Sequence, residues 1–262
     1  MKKVLVALLL ITLLFTLCAC GFMGKGQVNS LVDKYGTPQA QLTLNYKTSS
    51  GDNVEVRVIY NLLLDKAPLA VIRFIQLADA GEYDDTLVDT LNKDHDYLIM
   101  GRYKKIDSKY YDVRSGGTTF AGEFKQNGYP KPKGGYATFD MFSLAMYLAN
   151  DGKQFDSANG TLILSLSGAK QDKTLNSANY AVFAEFVEMY VSINEGAERH
   201  YSKVNGDVRA NLYSFSSRVS RNIYDYYDDT KGSVSIQVMS TSVTLHVEML
   251  GEQDWSKLPT ID

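Results

Sequence analysis

Apolar residues return at every second position over Leu42, Leu44 and Tyr46, and again over Val54, Val56, Val58 and Tyr60, on either side of Ser50-Gly51-Asp52-Asn53. A strand turns successive side chains to opposite faces, so each run has one face to bury, and the Gly- and Asn-containing stretch between them supplies a reversal. The pattern predicts a β-hairpin that needs a covering layer. Pro68 opens a stretch in which Val71, Phe74, Ile75, Leu77 and Ala78 recur at helical spacing up to Gly81. This predicts a helix with proline at its first position, where a missing N–H does no harm. Further strands are predicted over residues 86–91, 97–100, 143–147, 161–166 and 181–187. Between 204 and 227, Val208, Leu212, Phe215, Val219 and Ile223 fall three or four apart, with Arg209, Arg218 and Arg221 on other faces, which predicts an amphipathic helix. After Gly232, Val234, Ile236 and Val238, then Val243, Leu245 and Val247, alternate as a closing strand pair. The order is mainly β with two substantial helices, which suits a closed or nearly closed antiparallel barrel flanked by helices.

The first residues follow a different rule. Lys2 and Lys3 precede an apolar run from Val4 to Leu17 and a small-residue region, Cys18-Ala19-Cys20-Gly21. This is the form of a signal peptide, and the run is shorter than the roughly 20 residues a membrane-spanning helix needs. Leu17-Cys18-Ala19-Cys20 resembles a bacterial lipobox, which implies removal of residues 1–19 and lipidation of Cys20 as the first mature residue. The expected location is the extracytoplasmic face of the cell membrane, held by lipid. Residues 20–38 mix glycine with polar residues and read as a tether with a little helix around 31–35. Residues 39–252 form the expected globular domain, and 253–262 a C-terminal tail.

No cysteine follows Cys20, so a structural disulfide, a redox CxxC motif and thiolate zinc sites are excluded from the mature body. The formal net charge of −3 comes without a basic cluster interleaved with aromatic residues, so no nucleic-acid partner is expected. His95 between Asp94 and Asp96 admits a metal or acid–base reading beside that of a solvated loop, with no second histidine close in sequence. His200 is isolated, and His246, alternating with Leu245 and Val247, belongs on the outer face of its strand. No cofactor is expected.

Asp65-Lys66-Ala67-Pro68, followed by Val71, Phe74, Leu77, Gly81, Tyr83-Asp84 and Thr86, resembles the cyclophilin family, where a strand leads through such a turn into a helix closed by a G-x-Y-D-G-T turn. Four more blocks follow in the family's order: Gly122-Glu123-Phe124, Leu144-Ala145-Met146, Asp156-Ser157-Ala158-Asn159-Gly160 and Tyr180-Ala181-Val182-Phe183. The likeness covers roughly residues 40–195 and the closing strands near 233–250. It implies an eight-stranded antiparallel barrel capped by helices, with residues 196–232 as an additional helical insertion.

The resemblance also implies proline isomerase chemistry, and here the residues depart from it. Rotation about the bond before proline crosses a barrier of roughly 18–20 kcal/mol and needs a cationic donor as amide resonance breaks. The family's His-Arg pair falls on Asp89 and Thr90. Its F-M-x-Q-G strand falls on Tyr97 to Gly101, with Met100 in place of glutamine. Its S-Q-F-F falls on Thr161 to Leu164, replacing a second glutamine with Leu162 and putting Leu164 on the expected groove floor. The tryptophan position lies near Thr174, and the histidine becomes Tyr180. Each lost donor to developing charge typically costs about 10²- to 10³-fold in rate. The expectation is a domain that binds exported polypeptides, or one protein partner, with weak or absent isomerase activity. An active isomerase assisting the folding of exported proteins, and an assembly component acting through the 204–227 helix, stand as alternatives.

Overall fold

The computed structural model describes residues 21–47, 53–92, 97–107, 109–148, 155–166, 180–194, 202–203 and 243–261. Cys20, His95, Thr174, His200, the 196–232 insertion apart from residues 202–203, with its expected helix over 204–227, and the expected strand at 234–238 lie outside the described residues. For Asp89 and Thr90 the backbone alone is described.

The predicted hairpin forms as β1 (Gln39–Lys47) and β2 (Asn53–Leu62). Its register sets Ala40 opposite Tyr60, Leu42 opposite Val58, Leu44 opposite Val56 and Tyr46 opposite Val54, all of them buried. The remaining strands are β3 (Thr86–Asn92), β4 (Tyr97–Ile106), β5 (Lys109–Asp112), β6 (Leu144–Met146), β7 (Leu162–Ser165), β8 (Val182–Asn194), β9 (Ser202–Lys203) and β10 (Thr244–Leu250). They run β2-β1-β10-β3-β4-β7-β6-β8, and β8 pairs back onto β2. The sheet therefore closes into an eight-stranded antiparallel barrel, with β5 and β9 added at its margins. Closure removes the exposed edges an open sheet would leave. On the face they share, β10 extends the hairpin's row by setting Leu245 against Leu44 and Val247 against Leu42. Each fully buried side chain of this size contributes about 1.5–3 kcal/mol.

The helix predicted from Pro68 forms as α2 (Pro68–Asp79) and buries Leu69, Ala70, Val71, Ile72, Phe74 and Ile75 among others. Phe74 packs on Phe183 of β8 at 5.1 Å between ring centres and on Tyr83 at 5.5 Å. The Tyr83 hydroxyl donates to the Gly160 carbonyl at 2.8 Å, and Gly160 (φ 96°) leaves no room for a Cβ, which would lie 2.1 Å from Leu77.

The first turn of α2 is capped at long range. A helix start leaves its first N–H groups without intrahelical partners, and the N-cap residue, Ala67, has no side-chain oxygen to offer them. Ala67 donates to the Leu63 carbonyl, Pro68 has no N–H, and Val71 donates to Ala67. The two remaining donors, Leu69 and Ala70, both bond the carboxylate of Glu123 at 3.0 Å, one to each oxygen. Glu123 is buried, and burial pushes its carboxyl up to about 8 against the pull of those two N–H groups.

Both chain ends dock on the barrel. The expected tether contains a full helix, α1 (Lys25–Tyr35), started by a Gly24 N–H donation to the Gln27 side chain at 2.9 Å. Val28, Leu31, Val32 and Tyr35 form a stripe at helical spacing, and Leu31 and Tyr35 are buried. Tyr35 stacks on Trp255 of the C-terminal segment at 5.4 Å, and Gln253 donates to the Tyr35 carbonyl at 3.2 Å. That segment packs through Trp255, Leu258 and Ile261, and receives a bond from Gln76 of α2 to the Pro259 carbonyl at 2.9 Å.

Candidate functional site

Tyr97, Met100, Leu162 and Leu164, singled out by the family resemblance, lie on β4 and β7, with β6 alongside. Paired residues of an antiparallel ladder put their side chains on the same face, and neighbours along a strand alternate, so the register assigns faces. Met100 pairs with Leu162, and Leu162 with Met146; Leu98 pairs with Leu164, and Leu164 with Leu144. These six side chains make two adjacent rows on one face, and all are 0% exposed. On the other face Tyr97 pairs with Ser165, and Ile99 with Ile163, which in turn faces Ala145.

The register thus brings Met100, Leu162 and Leu164 together and sets Tyr97 on the opposite face. Of the residues expected around one peptide-binding groove, Tyr97, Leu162, Leu164 and Thr174, the sheet divides Tyr97 from Leu162 and Leu164, and Thr174 lies outside the described residues. On that face Tyr97 is nearly covered and Ile99 half-buried, while Ser165, Ile163 and Ala145 are as fully closed off as the Leu162 row. Thr90 is the register partner of Ile99, while Asp89 falls within the register shift between Val88 and Thr90 of the β3–β4 ladder. Tyr180, at the start of the segment leading into β8, is buried with its ring edge-on to Phe139 at 6.1 Å.

Chemically the Met100–Leu162–Leu164 row offers a thioether and alkyl groups and no N–H or O–H donor from its side chains. Two of the guanidinium groups described nearby, those of Arg102 and Arg114, are committed elsewhere. Arg102 bonds Asp112 across β4 and β5 through two nitrogens, at 2.9 and 2.8 Å. Arg114, which carried no signal in the sequence, is buried over the Tyr83 ring at 4.9 Å and donates to the carbonyls of Gly101 at 3.0 Å and Glu82 at 3.2 Å. It braces the turn between α2 and β3 against the bend at Gly101. Arg73 is half-buried beside Tyr83 and Arg114, and burial lowers its pKa.

His246 lies half-exposed on β10, as alternation predicts, with Nδ1 2.5 Å from Asp84 and Nε2 3.9 Å from Glu248. Among the described residues no group of three or more His, Cys, Asp or Glu side chains is arranged to hold a metal ion. No described helix is long and apolar enough to cross a membrane. Away from the ladder, a cleft of about 680 Å³ opens between the N-terminal residues 21–23, the start of α2, the 119–121 segment and the C-terminal residues 259–261.

No protein-family model matches the sequence, and none of the curated proteins matches it. Among solved structures the chain is similar to a cyclophilin type peptidyl-prolyl cis-trans isomerase of Cryptosporidium parvum, at 13% identity and a TM-score of 0.44, over 82% of this chain and 99% of that one. It is also similar to the Mimivirus cyclophilin, at 12% identity and a TM-score of 0.45, over 86% of this chain and 93% of that one. A cyclophilin from Hirschia baltica matches at 10% identity and a TM-score of 0.34, over 86% of this chain and 98% of that one. These likenesses assign no role to any residue of this chain.

Proposed function

We propose that this chain is an exported lipoprotein, anchored through Cys20, whose cyclophilin-like barrel binds extended polypeptides or one protein partner at the membrane surface and has little or no proline isomerase activity. The ordered sequence blocks from Asp65 to Phe183 and the closed eight-stranded barrel support the scaffold. The anchor is supported by Leu17-Cys18-Ala19-Cys20 and by the lack of any later cysteine.

The observation that carries the low-activity reading is the Met100–Leu162 pair. Both side chains are fully buried at facing register positions where the family resemblance implies two glutamines. Together with threonine at position 90, this removes three donors that the family resemblance implies, at about 10²- to 10³-fold in rate for each.

A proline isomerisation assay on the unlipidated Cys20→Ser protein tests this, beside the Thr90→Arg variant. The expected result is a rate indistinguishable from spontaneous isomerisation for the unaltered residues at position 90. Turnover well above that rate would overturn the low-activity reading. For the anchor, a mature protein whose mass shows no acyl groups, or a Cys20→Ser protein that stays membrane-bound, would refute the assignment.

A further inference from the structure

The chain ahead of Gly21 joins the folded body at a fixed place. Phe22 is half-buried with its ring 5.1 Å from that of Tyr129, Gly21 lies against Ala121, and Met23 packs on the core. With α1 docked, position 20 is one residue from a fixed point. As free chain, residues 21–38 would have let the domain range over up to roughly 60 Å.

Tyr129 begins the segment Tyr129-Pro130-Lys131-Pro132-Lys133-Gly134-Gly135-Tyr136, which the Tyr136 hydroxyl closes by donating to the Tyr129 carbonyl at 2.6 Å. Two prolines fix φ beside the lysines, and Lys66 braces the far side by donating to the Lys133 carbonyl. Lys125, Lys131 and Lys133 are exposed, and none makes an ion pair among the described residues. No acidic residue occurs between Glu123 and Asp140. Among the described residues, Glu123 is buried on the α2 N–H groups, Asp65 pairs with Lys66 at 3.1 Å, and Asp156 accepts from Asn127 at 3.1 Å. A chain of net charge −3 therefore presents a locally cationic edge beside the residue that would carry its lipid.

We propose that the 125–136 loop is a contact surface for anionic lipid headgroups, so that the barrel sits on the membrane in one orientation. This rests on the lipidation of Cys20 in the proposed function. Lipid holds the chain near the bilayer, and each lysine brought within about a Debye length of a negatively charged surface is drawn to it. The lipid sets the distance and the loop sets the facing side.

The test uses the lipidated full-length product, its acylation verified by mass, in vesicles of phosphatidylcholine alone or with an equal part of phosphatidylglycerol. Hydrogen exchange in residues 125–136 is expected to slow by about tenfold on the anionic vesicles only. The effect should vanish at high salt and in the Lys125→Gln/Lys131→Gln/Lys133→Gln variant, whose far-UV circular dichroism should be unchanged. Equal exchange on both vesicles overturns the proposal while leaving the anchor intact, as does slowing by an acidic polypeptide and not by lipid. A parallel arm with unlipidated Cys20→Ser protein separates the two ideas: salt-sensitive binding to anionic vesicles, lost in the triple variant, supports the surface even where mass spectrometry finds no lipid.

Discussion

Replacing Glu123 with glutamine is expected to make the stability curves of the two proteins cross as pH rises. Glutamine keeps one carbonyl oxygen for one of the Leu69 and Ala70 N–H groups, but its NH₂ meets the other donor to donor. One buried N–H is left unpaired, which costs about 1–3 kcal/mol. That loss dominates at acidic pH, where the wild-type carboxyl is already protonated in both states. Between the ordinary carboxyl value of 4.5 and the buried value of about 8, the folded protein binds a proton that the unfolded chain has released. Stability therefore falls with rising pH through that window and is level with respect to this group on either side. At about 1.4 kcal/mol per unit the full fall is on the order of 5 kcal/mol, more than the lost hydrogen bond. Glutamine does not titrate, so wild type is expected to be the more stable near pH 4.5 and the variant the more stable near pH 9, with a crossing around pH 6 on these magnitudes. Urea unfolding followed by far-UV circular dichroism across that range measures both curves, and other titrating groups cancel in the difference. A difference that does not change with pH would refute the reasoning, because Glu123 would then be ionised throughout in its cap.

Tyr60 is 0% exposed and its hydroxyl has no partner among the described residues, while burial holds its phenol far above the ordinary range. Tyr60→Phe is therefore expected to be neutral or to stabilise by about 1 kcal/mol in urea unfolding, and a loss of that size would show that the hydroxyl is bonded. Trp255→Ala removes the stack on Tyr35, and a loss of about 3–5 kcal/mol with faster tryptic cleavage after Lys25 and Lys34 is expected. Cleavage unchanged from wild type would mean that α1 holds to the barrel without that ring.

The hairpin and α2 were legible because each has one buried face and one clear period. α1 was hidden by its composition: Gly24, Gly26, Asn29 and Ser30 read as linker, while the stripe Val28, Leu31, Val32 and Tyr35 is short, only Leu31 and Tyr35 of it are buried, and Tyr35 finds its ring partner at the far end of the chain in Trp255. β4 was expected to stop near Gly101, whose φ of 81° suits a turn. It continues to Ile106 by pairing with β5, through a segment with exposed Lys105 and Ile106 and no apolar alternation to detect. β8 likewise runs on to Asn194 because β2 offers it a partner along most of its length. The Glu123 cap had no local signal, since its donors lie 53 and 54 residues away. At the candidate site, residue types could be carried over from a resemblance, but faces could not. Tyr97 separates from Leu162 and Leu164 by the parity of a register that only the paired strands define.

The docking of α1 on the barrel also decides how the molecule meets a mechanical load. Force applied to the chain ahead of Gly21 enters through Phe22 and α1, which is held to the C-terminal segment by the Tyr35–Trp255 stack and the Gln253 bond to the Tyr35 carbonyl. Once that yields, tension reaches β1 from its Gln39 end, along the strand axis. β1 lies between β2 and β10 and is bonded to both over nearly its whole length, so its ladders are loaded in shear, many hydrogen bonds at once. The N-terminal helix thus serves as a fuse that gives way first and leaves the barrel closed.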